Sequence, residues 1–405
     1  MERVVITGIG ISCSTGRNKD EFKNSLYHGI GGLKPIALER FSTESAVYKN
    51  KSACIIDQSY YEELKAVDNT ILTEISGRVI EEAMIDAAIN LDKVNRRRMG
   101  ICMATTIGGS YPFMEFTKRR VEGTFKKEDY ELMFRAITPN ITGDLLRRFG
   151  LKGPISTIST ACAAGTNSIG RAFDMISNER IDVCVSGGVD IFSELSFAGF
   201  NSLQSLSKGI CQPFDKKRDG LTLGDASAFV IMESLSHAQN RGAKIYCEIK
   251  GYSANNEAYH PTSPNPDGST ACLTMQQALN QGKMNISEIQ YINAHGTATG
   301  ANDGMEVNGI RKLFGEQPVY LSSTKSMTGH TLGAAGSIEL IATSLGMHHG
   351  FVPPSCNITS SLIEDNDNLR IVQNKALDFE YEGALSNSFG FAGCMASMAI
   401  KRFDN

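Results

Sequence analysis

The sequence has no excess of positive charge, no Cys-x-x-Cys pair, and no apolar run approaching the roughly 20 residues that span a bilayer. Each absence removes a class of function. With 40 Lys and Arg against 44 Asp and Glu, the formal charge is -4, so there is no cationic surplus to neutralise a nucleic-acid backbone. The basic runs Arg96-Arg97-Arg98 and Lys118-Arg119-Arg120 are short and read as solvated helix ends. Ten cysteines without the paired spacing suggest neither a zinc site nor a thioredoxin-like redox motif. No leader precedes the first apolar stretch, because Arg3 to Gly8 already reads as a strand. The expectation is a cytoplasmic chain with reduced thiols, most of them small core residues.

Short apolar runs alternate with helical patterns along all 405 residues, the signature of an α/β protein with covered sheets. Arg3–Ile11, Gly100–Thr105 and Asp182–Gly188 read as strands, and Thr70–Ile89 as an amphipathic helix. A weak duplication is visible. Ile155 to Ala172 runs strand, Cys-containing turn, small-residue helix, and Leu321 to Leu340 repeats that order around a Thr-Gly-His turn. The strand at Asp182 is echoed at Ala384 to Gly390. The economical division is an N-terminal half, 1–250, and a C-terminal half, 251–405, with a polar loop over 255–270 just after it. Gly8-Ile9-Gly10 invites a dinucleotide fingerprint, but its third glycine position is Cys13 and the required helix does not follow. His348-His349 has no partner ligands at metal spacing and reads as surface.

Four strings carry chemistry. In Ser159-Thr160-Ala161-Cys162-Ala163-Ala164-Gly165 a strand turns into a helix near Cys162, where the positive end of the helix dipole should favour the nucleophilic thiolate. His295, in Asn293-Ala294-His295-Gly296-Thr297-Ala298-Thr299, follows an apolar strand, the edge at which α/β proteins bind ligands. His330 ends Ser323-Thr324-Lys325-Ser326-Met327-Thr328-Gly329-His330, again a strand running into a helix start. Two neutral imidazoles facing a thiol suit carbon–carbon bond formation without a metal, each donor to a developing enolate oxygen contributing about 3 kcal/mol. Lys325 could steer the imidazoles' charge state. In Asn387-Ser388-Phe389-Gly390-Phe391-Ala392-Gly393-Cys394, glycines let backbone N–H groups approach a ligand, and Phe391 could swing over a pocket.

These strings, with VVITGIG at the start, PFDKKRDG (213–220), RGAKIY (241–246) and STKSMTGHTLGAAG (323–336), resemble the β-ketoacyl-acyl-carrier-protein synthases of the elongating type over essentially the whole chain. The resemblance implies the thiolase fold, two duplicated α/β halves layered αβαβα, and normally a homodimer. It implies that Cys162 accepts the acyl chain from the phosphopantetheine of an acyl carrier protein, with no cofactor bound to the chain itself. His295 and His330 would promote malonyl decarboxylation and hold the enolate, with Lys325 and Glu339 supporting them. The N–H groups of Cys162 and Phe391 would form the oxyanion hole. Thr297, Thr299, Thr262, Phe389 and Phe391 would meet the substrate, and Lys65, Lys126 and Lys127 the carrier protein.

Departures from the family pattern bear on substrate rather than reaction class. Ala392-Gly393-Cys394-Met395 stands where Gly-Gly-Thr-Asn is usual after the gating Phe, and Gly300 where Pro often follows the His-Gly-Thr string. Gln212 replaces an Arg, and Val67-Asp68-Asn69 replaces a more basic string. They point to a specialised pathway, polyketide, polyene or unusual fatty acid. The alternative is a chain-length-factor-like or partner-dependent subunit of a heterodimer, against which the complete Cys-His-His set counts.

Overall fold

The computed structural model describes residues 1–37, 48, 50–67, 71–364 and 368–404. Eleven strands among them form one sheet: β1 (Val4–Cys13), β2 (Met99–Ala104), β3 (Ile155–Ile158), β4 (Val183–Asp190), β5 (Ala226–Ser234), β6 (Cys247–Asn256), β7 (Tyr291–Asn293), β8 (Val319–Ser322), β9 (Leu369–Ile371), β10 (Gly383–Phe389) and β11 (Cys394–Lys401). Their order in space is β9-β8-β7-β10-β11-β6-β1-β5-β4-β2-β3.

That order contains a repeat. The run β1-β5-β4-β2-β3 is matched by β6-β11-β10-β7-β8, each with two antiparallel pairings followed by two parallel ones. Antiparallel pairing of β1 with β6 joins the two runs. The echoes legible in the sequence are therefore topological equivalents, β3 with β8 and β4 with β10. The strands expected at Arg3, Gly100 and Asp182 are β1, β2 and β4, with ends shifted by one or two residues. Strand β6 retains Asn255 and Asn256, so the polar loop starts at Glu257.

Helices close both faces of each run. Helices α1 (Ile71–Asp86) and α2 (Pro139–Phe149) cover the outer face of the first. Helices α3 (Ala164–Ser177) and α6 (Ala335–His349) pack together between the runs, and α4 (Ser269–Gly282) and α5 (Gly300–Phe314) cover the outer face of the second. The result is αβαβα, with one apolar core in each space between sheet and helices or around the central helix pair. Thr70, Asp68 and Asn69, which open the expected α1 helix and carry one family departure, lie outside the described residues.

Glycine placement explains two features of this packing. A Cβ at Gly8 or Gly10 would lie 2.2 Å from Ala83 O or 1.9 Å from Val79 O, so these glycines let α1 lie directly on β1. The Gly-Ile-Gly string is thus a packing requirement. Between α3 and α6, a Cβ at Gly336 would come within 2.0 Å of Thr166 Oγ1. Small residues there bring the starts of the two central helices together, which sets the turns preceding them side by side.

Candidate active site

Strand β3 ends at Ile158 and α3 begins at Ala164; between them Ala161 takes a positive φ of 49° and delivers Cys162 to the top of the turn. A methyl-bearing residue in left-handed backbone is uncommon and costs energy, a feature that clusters at functional sites. Thr106 Oγ1 donates to Ala161 O at 3.1 Å and braces the turn. Gly390 crosses it closely enough that a Cβ would sit 3.1 Å from Cys162 N. This crossing lets the backbone N–H groups of Phe391 and Cys162 both face the sulfur.

Cys162 is buried, and burial pushes its thiol up to about 11, against the opposing pull of Lys325 and those two N–H groups. This corrects the expectation that the helix start would favour the thiolate at rest. Cys162 stands two residues before α3, and loss of hydration outweighs the pull of Lys325 and the two N–H groups.

His295 follows β7, and His330 follows the short helix Lys325–Thr328. Cys162 Sγ and one ring nitrogen of each histidine lie within 4.8 Å of one another. The rings meet edge to face, with centroids 5.4 Å apart at 84°. Leu332 N–H donates to His330 Nδ1 at 3.1 Å. Lys325 Nζ lies 3.2 Å from His295 Nδ1, donates to His295 O at 2.6 Å and pairs with Glu339. The ammonium thus has three acceptors for its three protons. A backbone amide and an ammonium can only donate, so both Nδ1 atoms accept and both rings carry their proton on Nε2. Two Nε2–H donors remain to face the thiol.

Burial, with Lys325 close by, holds both imidazoles well below the ordinary histidine value, and for His295 the His330 ring adds to this. They are neutral at physiological pH. Lys325 is 2% exposed and packs behind the His295 ring. Burial raises Glu339 to about 7 despite Lys325, and Ser388 Oγ lies 3.5 Å from its second oxygen.

A cleft of about 300 Å³ opens above this centre. Thr262, Thr297, Thr299, Phe389 and Phe391 line it together with Cys162, His295 and His330. Thr297 and Thr299 hydroxyls are 3.0 Å apart, and Thr299 caps α5. Phe391 leans on Phe200, ring centroids 5.6 Å apart, and Ala392 N–H donates to Pro261 O at 2.7 Å, tying the two loops of the mouth. Lys65, Lys126 and Lys127 are exposed and do not line the cleft. Gln212 is turned inward, its Nε2 donating to Asn357 O at 2.9 Å.

Three residues of the site escaped the sequence reading. Glu306 accepts the His295 and Gly296 N–H groups at 2.9 and 2.8 Å, and Asp303 accepts those of Ala298 and Phe214 at 3.1 and 2.8 Å. Both stand on α5, three residues apart on one helical face, and that spacing after the histidine string was the available signal. Phe200, against which Phe391 packs, left no signal in its neighbourhood.

A buried thiol faced by two imidazoles and two backbone N–H groups, on a duplicated α/β frame, is the arrangement of a condensing enzyme of the thiolase-like class. Residues 1–238 match the family model of the β-ketoacyl synthase N-terminal domain, and residues 246–359 that of the C-terminal domain. The chain is 34% identical to 3-oxoacyl-[acyl-carrier-protein] synthase 2 of Staphylococcus aureus strain COL over 414 residues, covering 100% of this chain and 99% of the relative. The ishigamide ketosynthase/chain length factor superposes with a TM-score of 0.91 at 30% identity, covering 100% of both chains. A type II polyketide ketosynthase, solved with its acyl-carrier protein and a bound hexaketide, gives 0.90 at 29% identity, again over 100% of both. The chain belongs to the β-ketoacyl synthase family and is an acyltransferase-type condensing enzyme of fatty-acid or polyketide synthesis.

Proposed function

We propose that the chain joins an acyl group held on Cys162 to a malonyl unit, both delivered on the phosphopantetheine of an acyl carrier protein. The observation that carries this reading is the pair of Nε2–H donors opposite the Cys162 thiol. In the first half-reaction a carbon–sulfur bond forms to Cys162 as the bond to the pantetheine sulfur breaks, and the thiol proton leaves with that sulfur. A thiol resting near 11 suits this exchange, because proton and acyl group change places without net charge. The N–H groups of Cys162 and Phe391 receive the thioester oxyanion, each such donor contributing about 3 kcal/mol.

In the second half-reaction the malonyl carboxylate leaves as carbon dioxide, and its bonding electrons enter the enolate. His295 and His330 hold the enolate oxygen while its carbon attacks the Cys162 thioester. The Cys162 sulfur departs as thiolate and takes up one proton from water, which balances the charge of the lost carboxylate. Thr297, Thr299 and Thr262 receive the pantetheine arm, Phe389 and Phe391 shape the entrance, and Lys65, Lys126 and Lys127 meet the carrier. Lys325 and Glu339 fix the ring polarity. No bound cofactor takes part.

The working unit is a cytoplasmic homodimer, each chain divided into a nucleophile half, 1–250, and a histidine half, 251–405. Phe113, Tyr130, Phe134, Ile137 and, on the outer edge strand β3, Ile155 are exposed apolar side chains that a second copy would cover. Among the described residues no helix is long and apolar enough to cross a membrane.

Peptide mass spectrometry after mixing the chain with a panel of acyl-carrier-protein thioesters, without malonyl donor, tests the reading. An acyl adduct on Cys162 is expected; absence of an adduct with every acyl group would overturn it.

A further inference from the structure

The Cys162–His295–His330 set also has the donor chemistry of a zinc site. One thiol and two imidazoles present ligand atoms within 4.8 Å of one another, about 1 Å beyond the ~3.5 Å edges of a tetrahedral site with ordinary zinc–sulfur and zinc–nitrogen bonds. Among the described residues no other His, Cys, Asp or Glu cluster has this spacing.

The groups behind the rings decide what the set can hold. In a zinc site each imidazole ligates through one nitrogen and donates its other N–H to a carboxylate, a carbonyl or water. Here both groups behind the rings are donors. Leu332 N–H points at His330 Nδ1 from 3.1 Å, and the Lys325 ammonium at His295 Nδ1 from 3.2 Å. A ring ligating through Nε2 would carry its proton on Nδ1, facing another N–H. Lys325 also places a positive charge beside the ring that would take the cation, and opposes it by repulsion.

We propose that Cys162, His295 and His330 form a latent site for a thiophilic divalent cation, held shut by the Leu332 N–H and the Lys325 ammonium. The enzyme thereby keeps a thiol and two imidazoles together without capture by zinc, and Lys325 is a positioning residue with this second role. Loss of Lys325 removes the stronger of the two blocks, the ammonium beside His295, and leaves the Leu332 N–H opposing His330 alone. His295 Nδ1 is then free to carry a proton, and the buried Glu339 that Lys325 bridged to the ring becomes the nearby carboxylate that zinc-bound histidines use. The inference rests on the Nε2–H assignment used in the proposed reaction.

Zinc chloride titrated into the full chain against a competing chelator tests it, with wild type, K325M, K325Q, C162S and K325M/C162S compared, and acyl loading of Cys162 followed in the wild type. We expect 10–100-fold tighter zinc binding in K325M and K325Q than in wild type, the range that groups behind metal-bound histidines command, and loss of that gain in K325M/C162S. Wild type binding zinc through Cys162 as tightly as K325M would overturn the proposal. So would folded K325M and K325Q variants that show no gain. If neither variant folds, the comparison of wild type with C162S decides: equal binding supports the closed site, and tight binding lost in C162S overturns it. Absence of acyl loading in the wild type would count instead against the condensing reading.

Discussion

Glu306 holds His295 by its backbone: one carboxylate oxygen accepts the His295 N–H at 2.9 Å, and the other accepts the Gly296 N–H at 2.8 Å. Asn387 Nδ2 adds a third donor at 3.2 Å. The His295 ring is thus set from α5, 11 residues along the chain, and its side chain remains available to Lys325 and the cleft. Glu306→Ala would leave two buried N–H groups without acceptors, each costing about 1–3 kcal/mol. The ring would also shift by a fraction of its working distance, and such misplacement can cost on the order of 100-fold. Steady-state condensation should fall by about that factor in kcat, with little change in acyl loading of Cys162, since the nucleophile turn does not touch Glu306. Equal loss in both assays would show a general defect.

The two half-reactions separate by residue. Cys162→Ala should abolish condensation and leave carbon dioxide release from malonyl-carrier protein, because decarboxylation needs only the imidazole donors. His330→Ala should lower that release by about 10²–10³-fold, the usual loss for one donor to a developing oxyanion. Carbon dioxide measured with both variants checks the division; an inactive Cys162→Ala in both assays would argue that the thiol itself takes part in decarboxylation.

Glu306 and Glu339 are each raised to about 7 by burial, while His295 and His330 are held well below their ordinary value. As pH falls through 7 the two carboxyls gain protons in the folded chain and loosen their hold on the His295 backbone and on Lys325. The acid limb of activity should therefore fall near pH 7 and report carboxylates. Linkage has opposite signs for the two sets. The raised carboxyls stabilise the fold most at low pH and lose that contribution as pH rises to 7, whereas the depressed histidines contribute above about 6.5 and lose it on acidification. Between pH 5 and 7 these trends oppose each other, so kcat should drop while Tm changes little. A Tm that falls in step with activity would contradict this.

Met395 is buried against Phe389, with Met305 and Ala271, and the Phe389 ring lies 6.0 Å from that of His295. Met395→Asn would bury an amide in that apolar cluster and displace Phe389 toward the cleft. We expect KM for the malonyl donor to rise several-fold, with acyl loading of Cys162 less affected. Kinetics with the donor and acceptor varied separately will show which substrate feels the change.

Much of the fold was legible in the sequence because apolar periodicity and turn residues are local. The echo between Ile155–Ala172 and Leu321–Leu340 was visible for the same reason: each copy is a continuous strand, turn and helix. Cys162, His295, His330 and Lys325 stood out because each lies within a short string whose residue types have a shared chemical purpose. What sequence could not determine is set by groups distant along the chain. The resting state of Cys162 follows from burial, which the helix start visible in the sequence does not reveal. The polarity of the His295 ring follows from an ammonium 30 residues away, whereas that of His330 follows from a backbone N–H only two residues on, whose direction the folded turn decides. Phe200 supports Phe391 only because two loops meet at the mouth of the cleft. Sequence alone determined which chemical groups are present and the local elements that carry them; tertiary structure decided their hydration and hydrogen-bond partners, because both depend on atoms that only packing brings within reach.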